Sequence, residues 1–220
     1  ELRQAQLGDR DQIAGKSGRR TDWIGRRKGV DCAEAVDGQE FWGGAMDDLS
    51  EARHRAKLIA EQGSVAGALA QGKLDPVITC TASEGLILGL LNQGVRKYLA
   101  VFGHGSTTFG EYLRIYEEAG VVRTFAFHNE VAMAHAATAL KWHYGETPAV
   151  VTSIGPGATN MVTAAALAHV NRLPVLLLPG ETFAGREPDP VLQQIEDFGD
   201  PTVSANDCFR PVSRYWDRIT

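Results

Sequence analysis

Glu130 stands at the start of a helical stretch, directly behind the apolar run 121–127 and the polar pair His128-Asn129. A carboxylate in that place has two readings. An acid in a first turn complements the positive end of the helix dipole. Set among Phe127, Val131, Met133 and Ala134, it would also be partly desolvated. Desolvation raises a carboxyl pKa and favours sharing a proton with a bound nitrogen. The next apolar run, 149–154, ends in the rigid turn Gly155-Pro156-Gly157, with Asn160 close behind. The free backbone N–H groups of such a turn can hold an anion. A third feature is His104, between Gly103 and Gly105 at the end of the run 98–102. That setting is too exposed for a core histidine and makes it a candidate to face a ligand. His135, His143 and His169 read as helix-face residues with no further role.

These groups need a scaffold that brings the ends of successive apolar runs together. The pattern supplies one. A helix is expected over residues 49–71, ended by Gly72. Residues 77–80 read as extended, and Thr81-x-x-Glu84 as a capping box opening a helix that Gly94 closes. The run 98–102 reads as a buried strand leading into the loop 103–106. Thr108-x-x-Glu111 reads as a second capping box, for a helix ending at Gly120. Then come a strand at 121–127, a helix at 129–143 closed by Gly145, a strand at 149–154, a helix at 158–170 and a strand at 174–178. A short helix is expected at 191–197, followed by less regular strand and helix starts. Strands alternating with helices of this length specify an α/β fold, a doubly wound parallel sheet. In such a sheet the strand exits share the carboxyl edge, where ligands bind. Glu130 and the turn 155–160 are therefore expected to face one crevice. Residues 76–220 form the expected domain, and residues 1–75 an irregular, partly helical N-terminal extension.

Composition narrows the function. Against 27 Asp and Glu stand 22 Lys and Arg, a net charge of −5, which disfavours nucleic acid as the main partner. Residues 1–28 run the other way, with eight basic and four acidic side chains. Their basic run 19–28 reads as a flexible or partner-draped arm, or as a site for an anion or acidic partner. Cys32, Cys80 and Cys208 are far apart and form no CxxC pair, so neither a zinc site nor a disulfide framework is expected. No metal ligand is assigned, and the default setting is the cytoplasm. No apolar run reaches the roughly 18 residues of a membrane span. The first residue is Glu1 rather than Met, so a trimmed, processed or partly unseen N-terminus is expected. The loop 102–110 could be a dinucleotide turn. Its glycines at 103, 105 and 110 misplace the third position of GxGxxG, and no full GxxxxGK[ST] of a P-loop exists, since Arg10 stands where the first glycine before Gly15-Lys16-Ser17 would be.

Taken together, Phe102-Gly103-His104-Gly105, the acid in HNEVAMAHAA, the turn SIGPGATNMVTAA and the strand exit LPVLLLPGETFA resemble the pyrimidine-binding domain of thiamine-diphosphate enzymes of the acetolactate-synthase type. The resemblance covers roughly residues 78–219. DPVLQQIE and NDCFRPVSRYWDRIT are further similar to the trihydroxycyclohexanedione hydrolases of inositol catabolism, which open a cyclic 1,2-dione by C–C cleavage. The resemblance implies thiamine diphosphate as cofactor. It implies that Glu130 takes the place of the glutamate that hydrogen-bonds N1′ of the aminopyrimidine and promotes loss of the thiazolium C2 proton. It also implies that Gly155, Pro156, Gly157 and Asn160 line the cofactor site. By the same resemblance His104 is expected to act catalytically beside a substrate pocket of Gly103, Gly105, His128 and Glu181.

The family's diphosphate-binding domain, with its GDG and later paired Asn that hold Mg²⁺, has no match in these residues. The expectation is that another chain or domain supplies that half-site, in a homo- or hetero-oligomer, either because the sequence is a fragment or because the enzyme is split. The substrate expected is a small 2-oxo compound or dione, with hydrolysis first and acetolactate-type carboligation second. A non-catalytic assembly subunit and a dinucleotide-binding domain are the readings from other classes.

Overall fold

The computed structural model describes residues 38–182, 191–197, 199–200 and 202–219, with side chains from Leu49 onward. The basic run 19–28, Trp23, Cys32, the side chain of Trp42 and the Asp189-Pro190 pair lie outside the described residues. The chain divides into two compact units, Glu1–Gly43 and Gly44–Thr220. In chain order the elements are α1 (Gly38–Gln62), α2 (Val65–Ala70), α3 (Ala82–Asn92), β1 (Lys97–Val101), α4 (Thr107–Glu118) and β2 (Arg123–Ala126). There follow α5 (Glu130–Tyr144), β3 (Ala149–Thr152), α6 (Pro156–Thr159), α7 (Val162–Val170), β4 (Leu176–Pro179) and a 3₁₀ helix (Ala205–Val212).

The four strands pair in parallel in the order β2-β1-β3-β4. The chain moves from β1 outward to β2, then crosses back over β1 to β3 and on to β4. The reversal lies between β1 and β3, and in open α/β sheets the crevice at that point is where ligands sit. Period-two alternation divides the core. Tyr98, Ala100, Ala149 and Val151 pack on one face with residues of α1 to α4. Leu99 and Val150 pack on the other with α5, α6, α7 and Phe209 of the 3₁₀ helix. β3 is buried at all four positions, as a central strand covered on both faces must be.

Helices α1 and α2 come from the stretch read as an extension, yet Ala52, Ala56, Ile59, Val65 and Ala68 are buried in the same core as Tyr98. What joins them is an ion pair inside that core. Arg55 Nε and Nη2 reach Glu84 Oε1 and Oε2 at 2.8 and 2.7 Å, and Tyr116 Oη donates to Glu84 Oε1 at 2.8 Å. Glu84 is fully buried.

Several expected elements differ. The helix expected over 49–71 begins at Gly38 and breaks at Gly63, whose φ of +72° favours a residue without Cβ; Ser64 then caps α2 by accepting from Gly67 N at 2.9 Å. Residues 77–80 join no strand: Val77 is exposed, and the segment pairs with none of the four strands. The Thr81 box is half made: Thr81 Oγ1 accepts from Glu84 N, but the Glu84 carboxylate turns to Arg55 instead. The Thr108 box does not form. Helix α4 starts behind Ser106, whose hydroxyl bonds Gly103 N and O at 3.1 Å, and Glu111 pairs with Arg114. The helix expected over 158–170 breaks between Thr159 and Val162. Residues 191–197 form turns rather than a helix, with Gln193 at φ +69°.

Candidate functional site

The sequence puts Glu130 behind a competent N-cap. Asn129 is extended (φ −154°, ψ 127°), and its side chain accepts from Ala132 N at 2.9 Å. The helix donors are thus served by Asn129, and the Glu130 carboxylate is left for other work. It is half-buried at the mouth of the fold. Asn160 Nδ2 donates to its Oε2 at 3.1 Å, the hydrogen bond it makes among the described residues. Its Oε1 lies beside Gly157, where an added Cβ would stand 3.4 Å from it and would collide with Ser153 Oγ. Met133 and Ala134 are buried below it and Phe127 packs with them, whereas Val131 is exposed. Glu130 and the turn 155–160 therefore lie side by side at the carboxyl edge of the sheet.

The turn itself is dictated by glycine. Gly155 has φ +60° and ψ −118°, a region closed to residues with a side chain, and a Cβ there would run into the Gln193 carbonyl oxygen. Pro156 then takes the first position of α6, where a missing N–H is tolerated.

His104 is exposed, at the exit of β1. Its carbonyl accepts from Ile154 N at 3.0 Å, and its N–H donates to Gln193 Oε1 at 3.3 Å. Gly103 lies against Ser153, and Gly105 against Ile154 and the Glu181 backbone. A cavity of about 330 Å³ opens here, lined by His104, Gly105, Thr107, Thr108, Ile154 and Glu181 among others. Glu130 does not line it. The geometry therefore forms two neighbouring places at the switch point. One is Glu130 with Gly157 and Asn160; the other is His104 with Gly105 and Glu181. Gly103 belongs to the wall between the loops. His128 is exposed on the turn between β2 and α5. The Glu181 carboxylate accepts from Thr182, Ser204 and Asn206.

Three residues missed by inspection of the sequence shape this edge. Gln193 ties the loop after β1 to Gly155, Ser153 backs Gly157, and Asn206 holds Gly180 O at 2.9 Å and Glu181 Oε2 at 3.1 Å. The strings DPVLQQIE and NDCFRP contained two of them, but their contacts are with residues far away in sequence, and no local pattern announces those. Among the described residues no group of three or more His, Cys, Asp or Glu is placed to hold a metal ion. No helix among them is long and apolar enough to cross a membrane.

The four-stranded parallel sheet with flanking helices is consistent with the family that the chain matches. The thiamine pyrophosphate enzyme N-terminal TPP binding domain matches residues 80–200, and the chain belongs to that family. Its curated relatives include the 3D-(3,5/4)-trihydroxycyclohexane-1,2-dione hydrolases of Bacillus cereus (strain AH820) and Bacillus anthracis (strain A0248). Each is 48% identical over 128 residues, 57% of this chain and 20% of the relative. The hydrolase of Bacillus thuringiensis (strain Al Hakam) is 47% identical over the same length. The match thus spans a fifth of the length of these relatives.

Proposed function

We infer that this chain is the pyrimidine-binding portion of a thiamine-diphosphate-dependent enzyme that acts on a C–C bond next to a carbonyl, hydrolysing a cyclic dione. The observation that carries the reading is the Glu130 carboxylate in the first turn of α5, with Oε2 held by Asn160 Nδ2 and Oε1 beside Gly157 at the carboxyl edge of the sheet. When bound, the cofactor would supply a carbon nucleophile for the substrate carbonyl. The residues of this chain bind and orient. Glu130 accepts a hydrogen bond from, and shares a proton with, a ring nitrogen. Asn160 keeps that carboxylate aimed, and Gly155 and Gly157 let the turn pack closely on Gln193 and Ser153 beside it. His104, on the cavity side, is placed to donate to or accept from a carbonyl or hydroxyl of the substrate. The relatives that match at 47–48% identity are named as dione hydrolases, which supports hydrolysis over carboligation.

Among the described residues no group of three or more His, Cys, Asp or Glu is placed to hold Mg²⁺. A further domain or a second chain is part of the proposal, and it would bring the Mg²⁺ and diphosphate contacts in a cytoplasmic oligomer. Native mass spectrometry of the protein from its own source tests this. The expected result is an assembly carrying thiamine diphosphate and Mg²⁺, with a longer polypeptide or a second chain. A chain that stands alone and holds no cofactor overturns it, and moves a non-catalytic subunit to first place.

A further inference from the structure

The cavity beside His104 is walled by a carboxylate that is fully engaged by its own chain. Glu181 Oε1 accepts from Thr182 N at 2.9 Å and Thr182 Oγ1 at 3.2 Å. Its Oε2 accepts from Ser204 Oγ and from Asn206 Nδ2, the latter at 3.1 Å. Arg218 Nη2 adds a cation 3.6 Å from Oε1. Four hydrogen bonds fill the acceptor sites of a carboxylate. Meanwhile the Glu181 backbone is pressed against Gly105, its O and N at 3.2 and 3.4 Å from where a Cβ would stand. The side chain therefore holds the C-terminal segment, and the backbone forms the cavity wall.

The same segment is held from the other side. Ser204 and Asp207 form a reciprocal cap at the start of the 3₁₀ helix, and Ala205 N donates to Glu196 Oε1 at 2.8 Å. Three residues before Glu196, Gln193 Oε1 accepts from His104 N. The contacts close a ring: His104, Gln193, Glu196, Ala205, Ser204, Glu181 and back to Gly105. We propose that Glu181 is a positioning residue, the latch by which the segment 204–218 fixes the wall of the His104 cavity, and that it acts on a substrate only through that wall.

The proposal rests on reading the cavity as the substrate pocket, and its test separates the two. In the complete enzyme, Glu181→Gln places an amide NH₂ among donors only. It should speed amide hydrogen exchange at 103–106, 180–182 and 204–207 by about tenfold or more. With the dione as substrate, KM should rise by about tenfold while kcat stays within about threefold. Ser204→Ala removes one donor and should give the same pattern in smaller measure; it also serves if Glu181→Gln does not fold. Glu181→Asp should restore part of the wild-type exchange. The exchange readout needs no cofactor, so it stands or falls independently of whether the assembly is a thiamine-diphosphate enzyme. A fall in kcat of about a hundredfold with exchange unchanged would make Glu181 a direct participant and overturn the proposal. So would wild-type exchange in both Glu181→Gln and Ser204→Ala.

Discussion

Glu84 and Glu130 start from the same local grammar and end in opposite surroundings. Each sits in the first turn of a helix, behind a residue whose side chain caps that helix, Thr81 for α3 and Asn129 for α5. Glu84 is fully buried and meets a guanidinium in a two-pronged pair, with a tyrosine hydroxyl on one oxygen. Glu130 is half-buried and keeps one bond from a neutral amide. The pairing leaves its mark on Glu84's partners. The hydrogen bond to Glu84 holds Arg55 above the usual arginine range, and burial, with the Glu84 charge behind it, pushes Tyr116 well above the usual tyrosine range. A carboxylate with its charge and acceptors answered is structure. One with an oxygen left open at the carboxyl edge of the sheet is free to bind, which is the role proposed for Glu130. The lesson is that first-turn acids are sorted by what the rest of the chain brings to them, here α1 in one case and a glycine turn in the other.

The comparison breaks if the two acids can be exchanged in effect. Glu130→Gln should lower turnover of the complete enzyme by about 10²- to 10⁴-fold, with the melting temperature unchanged. Turnover within tenfold of wild type removes Glu130 from the chemistry. Glu84→Ala should do the reverse. It strands Arg55 in the core and should cost about 3–5 kcal/mol of stability in denaturant titration, because a buried charge is left without its partner. A loss under 1 kcal/mol would mean that water reaches the pair.

Alkaline titration sharpens the contrast further. Burial raises both Tyr98 and Tyr116, so the folded state keeps their protons while the unfolded chain gives them up near pH 10. Their contribution is complete below about pH 10 and is lost as pH rises above it, by on the order of 1 kcal/mol per pH unit for each tyrosine. Melts between pH 8 and 11 should show this slope, and Tyr116→Phe should roughly halve it. Glu130→Gln should leave it alone. The smallest effect expected is that of Asn160→Ala, about fivefold in thiamine diphosphate affinity measured by titration of the assembly. An unchanged affinity would mean that the Glu130 carboxylate needs no guide.

The sheet, its parallel sense and most helix ends were legible because each strand is a short apolar run with glycine punctuation and each helix has a cap or a glycine stop. Gly145, with φ +72°, closes α5 where the pattern places it. The elements that went astray depended on something distant. Residues 77–80 had strand composition but no neighbouring strand. Glu111 had the spacing of a capping box, but Ser106 had already taken up the loop 103–106. The breaks at Gly63 and after Thr159 fall inside sequence that reads as continuous helix.

For the candidate site, the sequence determined its residue types and their order: an acid behind a strand, a glycine turn one strand on, a histidine between glycines. Those are local facts of spacing, propensity and apolar period. The tertiary structure decided the partners. It set Asn160 and Gly157 against Glu130, gave Arg55 to Glu84, and turned Glu181 from the cavity toward Ser204 and Asn206. Sequence spacing carries no record of such pairings, because the crossover from β2 to β3 and the return of the C-terminal segment bring together groups as far as 89 residues apart, as with His104 and Gln193.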